Sequence, residues 1–195
     1  MRVNKSGVKR GLALEYITLA WNVIGVGIVF YAAYRARSLA LAGFGVDSLI
    51  EIVASVAVVW ELAGVHAARR RIALRIISVS FALLAAYIVT QAVVGLRSNI
   101  HPTPSALGML WLAVTAAAMF ALAYGKHRVG VEIDNPVLRF EARVTAVDGL
   151  LAVAVLVGLA ANALFGWWFA DSLAALVIVF YAVREARHTW KESKT

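Results

Sequence analysis

The sequence predicts an all-α integral membrane protein, a bundle of six transmembrane helices with the N and C termini on the cytoplasmic side. Three observations predict it. The 195 residues are 62% hydrophobic and only 15% charged, with a mean hydropathy of +0.80, whereas soluble domains average about 45–50% apolar and about 25% charged. The apolar residues gather into runs of roughly 20, enough to cross about 30 Å of hydrocarbon. The basic residues lie between those runs rather than on any basic face. That placement explains the formal charge of +8 through the positive-inside rule and argues against a nucleic-acid partner. There is no cysteine, which excludes disulfides and thiolate metal sites.

Six segments follow in order, with approximate spans 12–34, 38–63, 75–97, 105–125, 138–164 and 167–186. Residues 1–11 read as a cytoplasmic N-terminal tail, 12–186 as the transmembrane domain, and 187–195 as a short cytoplasmic C-terminal tail. The start, with Arg2, Lys5, Lys9 and Arg10, resembles the n-region of a signal peptide. The apolar run after it is too long for an h-region and holds Glu15 and Asn22, so it reads as the first spanning helix. Of the 19 Lys and Arg residues, all but Arg35, Arg37 and Arg97 fall on one side of the six crossings, which sets both termini inside. Residues 98–104 form a turn-rich outer connection and 126–137 the longest inner one. Trp167 and Trp168 stand where an interfacial aromatic belt is expected. The four histidines, at or beyond segment ends, read as surface residues.

The acids are what a plain bundle does not need. Asp47 and Glu51 lie four residues apart on one helical face, inside an apolar run. At about 1.5 Å of rise per residue, Asp47 lies roughly 14 Å from the outer end of its segment and Asp148 roughly 15 Å from the inner end of segment five. In a core of about 30 Å both reach the midplane from opposite sides. Asn22 arrives at the same depth. An ionisable group there costs several kcal/mol unless it is paired, protonated or solvated. Clustered carboxylates cannot all carry charge, and a divalent cation relieves the repulsion while displacing shared protons, so metal binding and proton release are linked. Asp47, Glu51, Asp148 and Asn22 are therefore the candidate metal ligands. Glu15 and Glu141, nearer the inner ends, are candidates for an inner vestibule that gathers cations. The competing reading pairs Glu141 with Arg139, Arg143 or an arginine on another helix. Asp171, near the outer end of segment six, reads as a solvated or helix-capping acid.

The lead-in Ser38-Leu39-Ala40-Leu41, the Asp47-x-x-x-Glu51 pair, Asp148 at matching depth and six helices with both termini inside resemble the cation diffusion facilitator (cation efflux) family over essentially the whole chain. The resemblance implies a cation-efflux-type bundle that exports a divalent metal such as zinc, manganese or iron(II) by proton antiport, as a homodimer in the cell membrane. The metal is then substrate, with no prosthetic group. Three departures stand out. Where members usually carry a His or Asp one turn before the segment-five acid, this chain has Val144. The second acid of segment two is Glu51 rather than Asp. No soluble C-terminal domain is expected. Loss of the nitrogen ligand weakens the case for zinc and favours ions at home with oxygen donors, with Asn22, Thr145 or water completing the shell.

The function read from the sequence is thus a proton-coupled divalent-cation transporter, not an enzyme. A transport ATPase is disfavoured by the lack of a Gly-x-x-x-x-Gly-Lys-Ser/Thr loop. The alternatives are a non-transporting membrane metal-binding or regulatory protein that keeps the fold, and a carrier of a non-metal cation.

Overall fold

A computed structural model describes residues 5–64, 67–97, 103, 105–167, 179–180, 183–184, 186–188, 190–191 and 193. Five long helices, and no strand, occur among the described residues: α1 (Lys5–Ala36), α2 (Leu39–Leu62), α3 (Ala67–Arg97), α4 (Ala106–Glu132) and α5 (Pro136–Phe165). All five are long and apolar enough to cross a membrane. The sixth expected segment, 167–186, lies largely outside the described residues. Two contacts locate the chain at its end: Ser78 of α3 donates to the Ala186 carbonyl at 2.7 Å, and the His188 ring lies 5.5 Å from that of Phe140 on α5.

The helices start and stop for local reasons. Ser38 caps α2, its hydroxyl accepting from the Leu41 N–H at 3.2 Å. Ser105 caps α4 in the same way through Gly108, at 3.1 Å. Asn135 caps α5 through Leu138 at 2.9 Å, with Pro136 at the first helical position, where a missing N–H costs nothing. Gly166, at φ 70°, closes α5 in the left-handed region.

The connections are shorter than the hydropathy suggests. The expected N-terminal tail is helical from Lys5. The expected inner loop 126–137 shrinks to Ile133–Asn135, because α4 continues to Glu132 and α5 begins at Pro136. Hydropathy reports where a helix meets lipid, not where its backbone hydrogen bonds end. The extra turns of α1 and α4 are joined by an ion pair between Arg10 and Glu132.

Short turns make antiparallel neighbours. The most extensive packing is accordingly α4 on α5 and α1 on α2, with α2 also meeting α3 and α5, and α1 meeting α4. The enclosed helices are α2 and α5, whereas α1 turns most of its surface outward. Tyr16, Ile17, Val23 and Ile24 of α1 and Leu110 of α4 are exposed, as suits side chains facing acyl chains. Small residues set the closest approaches. A Cβ added at Gly149 would meet Phe120 and Met119 of α4 at 3.2 and 3.3 Å, directly beside Asp148.

Candidate cation site

Helical spacing builds the site. Glu15, Thr18, Asn22 and Gly25 recur every three or four residues along the buried stripe of α1. Asp47, Glu51 and Ser55 do the same on α2, and Glu141, Thr145 and Asp148 on α5. Packed together, these stripes make one polar column inside an otherwise apolar bundle, in two tiers. Glu15 precedes Asn22 by seven residues and Glu141 precedes Asp148 by seven, two turns or about 10 Å in each case. The tiers on α1 and α5 are therefore in register.

The first, the acid tier, joins Asn22, Asp47, Glu51 and Asp148, none more than 2% exposed. Asn22 Nδ2 donates to Glu51 Oε2 at 3.1 Å. The Asp148 carboxyl lies near those of both Asp47 and Glu51. Residues that enter from different helices thus come together as their depths predict. Asp47 Oδ2, Glu51 Oε1 and both oxygens of Asp148 are buried with no hydrogen-bond donor among the described residues. A buried carboxyl in that state must carry its own proton or take up a cation. On the α3 side, Tyr87 lies near Asp47 and bonds Gln91; both side chains cover Gly43, one turn before Asp47.

The second, the lysine tier, joins Glu15, Glu141, Ser55, Thr145 and Lys126. Lys126 comes from α4 and is fully buried. Its ammonium lies 3.1 Å from Glu15 Oε2 and 3.3 Å from Glu141 Oε1, and donates to Thr145 Oγ1 at 2.9 Å. Two of its donors thereby make hydrogen bonds, to Glu141 and Thr145, while Glu15 pairs with it by charge. Ser55 Oγ donates to Glu141 Oε1 at 3.0 Å. Glu15 and Glu141, the candidates for an inner vestibule, thus meet around a lysine from another helix, not around an arginine. The cause is the extension of α4, which carries Lys126 onto the stripe of Leu112, Met119 and Leu122. That four-residue step from Leu122 was the available signal, hidden by reading Lys126 as part of a loop. Ser55, one turn beyond Glu51, was missed for want of a charge.

Further along, Asn135 donates to Glu61 at 2.8 Å, beyond both tiers. Among the described residues no group of three or more His, Asp or Glu side chains is already drawn to metal-holding distance. Val144 is buried and offers no ligand.

A bundle of apolar helices with a buried acidic column defines a multi-pass membrane protein suited to handling cations. A model of the cation efflux transmembrane domain matches residues 66–195, two thirds of the chain, and the chain belongs to that family, whose members are transporters rather than enzymes. The matched part contains Lys126, Glu141 and Asp148; Glu15, Asn22, Asp47 and Glu51 precede it. A comparison with curated proteins finds no match.

Proposed function

We propose that the protein exports a divalent metal ion across the cell membrane in exchange for protons, with Asp47, Glu51 and Asp148 as ligands and Asn22 as an accessory one. The observation that carries this reading is the acid tier: three buried carboxyls from α2 and α5, four of whose oxygens lack a donor among the described residues. Protons held there are what an arriving cation would displace. Asn22 already donates to Glu51, and binding would require the carboxyls of Asp47, Glu51 and Asp148 to converge on the ion. All the donors are oxygen, which suits manganese or iron(II) better than zinc. Both termini cytoplasmic, six crossings and a homodimer complete the proposal. Alternating access would open the tier to each side in turn.

Purified protein in proteoliposomes tests this. Manganese uptake accompanied by proton movement, both abolished by Asp148→Asn, is the expected result. A second reading, a membrane metal-binding protein that does not transport, draws on Val144 and on the lysine closed between Glu15 and Glu141. Metal binding without flux would favour it.

A further inference from the structure

The lysine tier is a cation site in its own right. We infer that Glu15, Glu141, Thr145 and Ser55 form a second, oxygen-lined cation position, and that Lys126 fills it with a tethered ammonium. The inference stands whether or not the acid tier binds metal.

Three features carry it. The Lys126 ammonium has the environment of a bound ion: it is fully buried and held by oxygens from three side chains on two other helices, at 2.9–3.3 Å. The donor set contains no nitrogen or sulfur, the choice of a hard cation. The charges do not balance around the ammonium, for two carboxyls face one positive charge, and Glu15 Oε1 and Glu141 Oε2 remain buried without a donor among the described residues. A free divalent ion would neutralise both acids; the lysine neutralises one. Lys126 thus acts as a permanent occupant that closes this tier to a free cation. Because the tethering chain comes from α4 and its partners from α1 and α5, the occupant also ties three helices together.

The test uses the full chain in detergent with manganese(II) as probe. Lys126→Ala should bind one more Mn²⁺ per chain than the natural protein. Propylammonium, which replaces the deleted methylenes and ammonium, should displace that extra ion. Mn²⁺ or propylammonium should also raise the thermal midpoint of Lys126→Ala while propylammonium leaves the natural protein unmoved. The triple variant Lys126→Ala, Glu15→Gln, Glu141→Gln should lose the extra ion. Persistence of the extra ion in the triple variant would overturn the inference, since the ion would then be held elsewhere. So would a folded Lys126→Ala that binds no more Mn²⁺ than the natural protein. If Lys126→Ala folds only with Mn²⁺ or propylammonium added, the inference is supported. If neither additive recovers it while the neutral triple variant folds, the inference fails. A natural protein that binds no Mn²⁺ would count against the acid tier alone, because this inference rests on the difference between variants.

Discussion

Both tiers draw on α1, α2 and α5, are offset by seven residues on α1 and α5, and gather buried carboxyls, yet only one of them holds a cation of the chain's own. In the lysine tier α4 contributes Lys126, and the carboxyls of Glu15 and Glu141 face a charge that cannot leave. In the acid tier Glu51 is bonded by the neutral Asn22, and four carboxyl oxygens of Asp47, Glu51 and Asp148 have no donor among the described residues. On the function proposed above, the difference teaches that buried acidity alone would not make a transport site. What matters is whether the compensating positive charge belongs to the chain or must come from outside.

Breaking either tier sharpens that contrast. The largest effect is expected from Asp148→Asn, which removes the proposed α5 ligand. Manganese affinity measured by calorimetry should fall by more than about 100-fold, since even second-shell changes cost about 10–100-fold. The helical content should be retained. Next comes the loss of the internal charge. Lys126→Met strands Glu15 and Glu141, and breaking a buried pair from one side costs about 3–5 kcal/mol; the thermal midpoint should drop sharply and partly recover when Glu141→Gln is added. Asn22→Ala leaves Glu51 in place without its donor and should weaken manganese binding by about 10-fold with little loss of fold. The smallest effect should come from Arg10→Gln. Its ion pair with Glu132 is about half exposed, so the stability change should stay within about 1 kcal/mol and vanish at high salt.

A different substitution asks what the acid tier lacks. Val144 lies one turn before Asp148 and is buried, so Val144→His should add a nitrogen ligand. Binding preference measured by competition should then move from manganese toward zinc. An unchanged preference would place Val144 outside the shell.

The fold was legible where hydrophobicity writes it. Long apolar runs mark every helix from α1 to α5, and the depths of Asn22, Asp47 and Asp148, reckoned from segment ends, bring those residues to one tier. Helix ends were not legible that way. Polar turns such as Gly125-Lys126-His127-Arg128 can be helical as readily as looped, and only the antiparallel packing of α4 on α5, with Arg10 of α1 holding Glu132, decides it. That one ambiguity concealed Lys126, and with it the true partner of Glu15 and Glu141. Reading the buried stripe of α4 on past Leu122 by four residues would have exposed it. The pairing of Ser55 with Glu141 depends on the crossing of α2 over α5, which no local pattern encodes.

The most direct test of the central claim is an anomalous-scattering map from crystals soaked in manganese, cobalt or zinc. The account predicts a peak within coordination distance of Asp47, Glu51 and Asp148, with Lys126 still seated between Glu15 and Glu141. Peaks confined to the surface, with the three carboxyls left bare at saturating metal, would contradict it.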